Sequence, residues 1–139
     1  MKIYLASPFF NEEELNNVKT AEKILRARGF TVFSPRENEV RDEKRFTAAW
    51  SLDTFQNDRR FLDWADAVVM LYYGAYSDSG TAWECGYAYA THKPVIVVHF
   101  GEKSNLMVHE GCHANITLAE LEEYDFETMP HKKWTRDMI

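Results

Sequence analysis

Two carboxylates in this chain stand where a side chain could do chemistry on a bound molecule. The first is Glu84, within Ser77-Asp78-Ser79-Gly80-Thr81-Ala82-Trp83-Glu84-Cys85-Gly86-Tyr87-Ala88. This segment follows an apolar run, turns through Asp78-Ser79-Gly80 and enters a helix of mostly small residues. Gly80, Ala82, Gly86 and Ala88 are expected to let that helix approach the sheet or a ligand closely. Early in a helix the dipole favours an ionised carboxylate, and such a group among small and aromatic residues can attack a sugar carbon. The competing reading is a solvated glutamate that supports the helix start.

Asp58 is the second carboxylate. At ~100° per residue, Phe55, Asp58, Phe61, Leu62 and Ala65 share one helical arc, and Asp58 is its only charge. It is expected to point inward, where it needs a partner or a raised pKa that suits proton delivery. The partner reading would pair it with Arg36, Arg41 or Arg45. Tyr4 sits in the first strand, just before the rim, where a tyrosine can simply pack or reach a ligand. Phe9 and Phe10 follow Pro8 and could sandwich a flat ring or plug a loop. His109, Cys112 and His113 match no zinc spacing, and neither a dinucleotide glycine fingerprint nor a phosphate loop occurs. Neither a metal nor an organic cofactor is expected.

The elements that must position these residues alternate between branched apolar runs and helical patterns, the mark of a parallel sheet with crossover helices. Strands are predicted over Lys2 to Ala6, Thr31 to Ser34, Ala67 to Tyr72 and Pro94 to His99, with a fifth near Ile116. Ala67 to Leu71 and Val95 to Val98 are apolar on both faces, as buried parallel strands are. Helices are predicted from Glu12 to Arg28, from Asp42 to Ala65 in two pieces, and from Ser79 to Thr91. Asn11 and Glu14 suggest a capping box at the first helix, and Gly29 its end. The expected fold is a three-layer, Rossmann- or flavodoxin-like α/β domain of about five strands, spanning 1–139. In such sheets ligands sit beyond the carboxyl ends of the strands.

The chain has 139 residues, which fits one domain. A net charge of −6 disfavours nucleic-acid backbone and anionic membrane as partners. No apolar stretch approaches the ~18 residues of a membrane span. Two cysteines, Cys85 and Cys112, and no evident signal segment suggest reduced thiols and a cytoplasmic location.

Four blocks in order carry a resemblance over nearly the whole chain: Ile3-Tyr4-Leu5-Ala6 with its following aromatics, Asn57-Asp58, Asp78 through Gly86-Tyr87-Ala88, and Asn105-Leu106-Met107. On these the chain resembles the nucleoside 2-deoxyribosyltransferase family. The resemblance implies that Glu84 attacks the anomeric carbon of a deoxyribonucleoside and carries the sugar as an ester, with retention when a free nucleobase accepts it. Tyr4 would hold Glu84, Asp58 would protonate the leaving base, and Asp78 would bind sugar hydroxyls. Asn105 and Met107 would come from a neighbouring subunit of a homo-oligomer, such as a hexamer built from dimers. The setting implied is nucleotide salvage. Glu39 matches a position where the family often carries a base-recognising glutamine, and a carboxylate can only accept hydrogen bonds.

Two other functions compete. A relative that hydrolyses 2′-deoxynucleoside 5′-monophosphates would keep the glutamate but bind a phosphate. Here the first loop, Ser7-Pro8-Phe9-Phe10-Asn11-Glu12-Glu13-Glu14, lacks cations, and Asp78 would repel a phosphate dianion. A non-catalytic nucleoside-binding module on the same fold would have little use for both Glu84 and Asp58.

Overall fold

A computed structural model describes residues 1–139. Along the chain come β1 (Lys2–Ala6), α1 (Glu12–Ala27), β2 (Thr31–Phe33), a 3-10 turn (Pro35–Glu37), α2 (Ala48–Trp64), β3 (Ala67–Tyr73), α3 (Ser79–Ala90) and β4 (Val95–Phe100). Then follow β5 (Lys103–Ser104), α4 (Leu106–His109), β6 (Ala114–Ile116), α5 (Leu118–Leu121) and β7 (Asp137–Met138). The main sheet has five parallel strands in the order β2-β1-β3-β4-β6. Counted within that sheet the order is 2-1-3-4-5, the flavodoxin-like winding whose switch point lies between β1 and β3. No helix is long and apolar enough to cross a membrane.

Alternation along the strands divides the core into two layers. Ile3, Leu5, Val69 and Leu71 pack with Val18, Ala21 and Leu25 of α1. Tyr4, Ala6, Val68 and Met70 pack with Leu62 of α2 and Ala88 of α3. β3 is buried at every position, which accounts for its unbroken apolar run.

At the start of α1 the Asn11 side chain accepts from Glu14 N at 2.9 Å. The return bond comes from Phe10 N to Glu14 Oε2 at 2.8 Å, one residue earlier than in a capping box. A complete box forms instead at α5, between Thr117 and Glu120. Gly29 ends α1 at φ +86°, a conformation other residues resist.

Two expectations need correction. The region 42–47 is irregular, so α2 is one helix starting at Ala48 after its cap Thr47. Charge and turn residues in 42–47 mimicked a helical pattern without an apolar face to bury. Gly86 faces open space rather than the sheet, and of the four small residues in α3 only Ala88 is fully packed. The glycine that does permit close approach is Gly74, where a Cβ would lie 1.7 Å from Lys103 O. The tail is folded back on the domain: Trp134 stacks on His99 at 4.1 Å and β7 pairs with β5.

Candidate active site

Because Tyr4 alternates with Ile3 and Leu5, its ring enters the α2–α3 layer and is wholly buried. It stacks on Phe33 at 5.4 Å, and its hydroxyl donates to Glu84 Oε1 at 3.0 Å. Glu84 reaches that point from the second turn of α3. Asp78 caps this helix, its Oδ2 accepting from Thr81 N at 2.8 Å and Thr81 Oγ1 at 2.7 Å. Both bonds fall on one carboxylate oxygen, so Oδ1 stays available to a ligand.

A cavity of about 330 Å³ opens at the carboxyl ends of β1 and β3. Glu84, Asp58, Asp78, Phe9, Phe10 and Glu39 all line it. Phe9 and Phe10 stack on each other at 5.8 Å, and Phe10 is 77% exposed at the mouth. A second cavity of about 370 Å³ opens between α2 and α3 beside Phe55 and Trp83, and meets the first at Asp58 and Glu84.

Burial governs the electrostatics. Glu84 is pushed up to about 8, first by desolvation and then by the charge of Asp58, with Asp78 adding to the rise and the Tyr4 hydrogen bond opposing it. The helix dipole was expected to keep Glu84 ionised, but removal from water outweighs it. Asp58 is pushed up to about 6 by desolvation. Arg36, a candidate partner for it, is bound instead to Glu22 and Glu37. Neither Arg41 nor Arg45 forms an ion pair with it. Tyr4 is raised far above its ordinary value by burial and by Glu84 and Asp58, so it remains a hydroxyl donor. The chemical capacity of the arrangement is two carboxyls that share a proton near neutrality, one of them held by a tyrosine hydroxyl, and aromatic walls.

Asn105 and Met107 do not join this cavity. Asn105 caps α4, its Oδ1 accepting from Met107 N at 2.9 Å, and Met107 is 76% exposed. Met107 borders a groove along a different face of α3, with Ala82, Cys85 and Gly86. The side chains of Cys112 and His113 turn to backbone carbonyls: Cys112 Sγ donates to His109 O at 3.3 Å, and His113 meets Met129 O.

Sequence reasoning passed over Trp50, Thr54 and Phe46, which also line the cavity, and named Arg45, a fourth lining residue, only as an ion-pair partner for Asp58. Trp50 and Thr54 precede Asp58 by eight and four residues, so helical spacing from Asp58 would have found them. Thr54 Oγ1 is buried without a partner. Arg45 and Phe46 lie in the irregular segment, where no periodicity exists to place them.

Comparison with known proteins adds the following. The family described as nucleoside 2-deoxyribosyltransferase matches residues 3–119. The 2-deoxyribosyltransferase of Bacillus psychrosaccharolyticus is 44% identical and superposes with a TM-score of 0.91, covering 97% of this chain and 100% of that one. A nucleoside deoxyribosyltransferase of Limosilactobacillus fermentum is 29% identical over 143 residues, spanning 92% of this chain and 83% of that protein. The 2-desoxiribosyltransferase of Leishmania mexicana, at 18% identity and a TM-score of 0.59 over 81% of this chain and 72% of that one, shares the fold.

Proposed function

The chain belongs to the nucleoside 2-deoxyribosyltransferase family, and on that premise we propose that it transfers deoxyribose between bases through a covalent bond to Glu84. A 2′-deoxyribonucleoside binds with its sugar against Asp78 Oδ1 and its base between the aromatic walls. A Glu84 oxygen attacks C1′ as the C1′–N bond breaks, through an oxocarbenium-like transition state. Asp58 gives its proton to the departing base nitrogen. An incoming base then attacks C1′ from the side the first one left, returns its proton to Asp58 and frees Glu84. Two inversions restore the β configuration.

The observation that carries this reading is the Tyr4 hydroxyl donating to Glu84 Oε1 at 3.0 Å in a cavity that Asp58 also lines. A donor hydrogen bond holds the carboxylate in one rotamer for in-line attack. Asn105 and Met107 we assign to the site of a neighbouring copy, since both are exposed and lie outside the cavity of their own chain. The reading against 5′-monophosphate hydrolysis rests on charge: Arg45 is the only lysine or arginine lining the cavity, while Asp78 stands at the sugar end. The test is mass spectrometry of protein quenched during turnover of deoxyadenosine, with its 5′-monophosphate as a parallel donor. We expect a deoxyribosyl adduct on Glu84 from the nucleoside, and none in a folded Glu84→Ala variant. Turnover without the adduct, or preference for the monophosphate, defeats the proposal.

A further inference from the structure

The sheet order places β1 between β2 and β3, and this gives the cavity a direction. Asp78 follows β3 on one side, Glu84 and Asp58 stand near the middle, and Glu39 follows β2 on the other. A sugar held at Asp78 with C1′ at Glu84 therefore extends its base toward the β2 edge. Two opposite charges line the cavity, Glu39 and Arg45, and both come from the segment that leads from β2 to α2. Neither is taken up in an ion pair. The Arg45 guanidinium lies 5.4 Å from the Phe46 ring and 5.9 Å from that of Trp50, which leaves its N–H edge for a ligand.

A guanidinium only donates and a carboxylate only accepts, so together they read a ring edge that carries an acceptor beside donors. Guanine has that edge, with O6 next to N1–H and the 2-amino group. Adenine and cytosine would turn an amino group toward Arg45, setting donor against donor. Resting on the transferase reading above, we propose that Arg45 and Glu39 form a base-specificity pair that selects 6-oxopurines, guanine foremost. Arg45 takes O6, and Glu39 takes N1–H and the 2-amino group. N7 and N3 remain open to protonation by Asp58.

The test is transfer from thymidine and from deoxyinosine, donors whose oxo and N–H groups suit the pair, to guanine, hypoxanthine, 2-aminopurine and cytosine, compared by kcat/KM for the parent, Arg45→Met, Arg45→Lys and Glu39→Gln. The parent is expected to prefer guanine. Arg45→Met should lower the guanine to 2-aminopurine ratio at least about fivefold, the scale of one base-edge contact. Arg45→Lys should recover part of that loss, and Glu39→Gln should bring guanine and hypoxanthine closer together. No guanine preference in the parent, or an equal loss on all four bases in Arg45→Met, overturns the assignment while leaving the transferase reading standing. Transfer to no base at all overturns both.

Discussion

Glu84 and Asp58 illustrate how one cavity sets two acids against each other. Each is raised by burial, to about 8 and about 6, and at neutral pH the pair holds one proton between them. These values belong to the pair rather than to either residue. The proposed mechanism needs the form with Glu84 ionised and Asp58 protonated, which the Tyr4 hydrogen bond favours. We therefore expect kcat/KM to rise through about pH 6 and fall beyond about pH 8, measured with a saturating acceptor base. Asp58→Asn should slow transfer by about 10²-fold and remove one limb of that profile. Linkage adds a stability prediction. A carboxyl whose folded pKa is raised contributes stability at acid pH, and loses it as pH climbs through the folded value. Glu84→Gln, which cannot ionise, should then melt higher than the parent above about pH 8, with the difference fading toward pH 4. A melting temperature lowered equally at both pH values would mean that Glu84 supports the fold.

At the level of elements, α3 opens on a residue that is both its cap and part of the cavity wall. Asp78 caps the helix through Oδ2, lines the cavity, and has no hydrogen bond on Oδ1. Aspartate and asparagine cap about equally well, whereas loss of a cap costs about 1 kcal/mol. Asp78→Asn should therefore keep the melting temperature yet raise KM for the donor nucleoside. Asp78→Ala should do both kinds of harm. Steady-state kinetics beside thermal melts separate the two, and an unchanged donor KM in both variants would remove Asp78 from the sugar site. α2 plays the complementary part, since Trp50, Thr54 and Asp58 form one stripe along its cavity face. Its start at Ala48 was misplaced from sequence because 42–47 carries polar residues compatible with either a helix or a loop.

For the molecule as a whole, a single chain leaves Asn105 and Met107 outside its own cavity. If neighbouring copies exchange them, two inactive variants should complement. Mixing Glu84→Ala with a double Asn105→Ala, Met107→Ala variant, after dissociation and reassembly, should produce hybrid sites with every residue intact. Activity should then exceed that of either variant alone, with particle mass by light scattering as the control. No gain from a mixture shown to contain both variants would locate all site residues in one chain.

The sequence by itself determined the layered α/β class, four of the strands almost to the residue, and the Asp78-to-Ala88 block that marks the family. Those features are written in local periodicity and in a compact motif, and each is decided by neighbours within a few turns. Tertiary structure alone decided which sites share a cavity. Glu39, Asp58, Asp78 and Glu84 meet because β1 lies between β2 and β3, an order that no short stretch encodes. It also decided protonation: dipole reasoning expected an ionised Glu84, whereas burial raises it to about 8. Desolvation depends on everything packed around a side chain, and that is known only once the chain has folded.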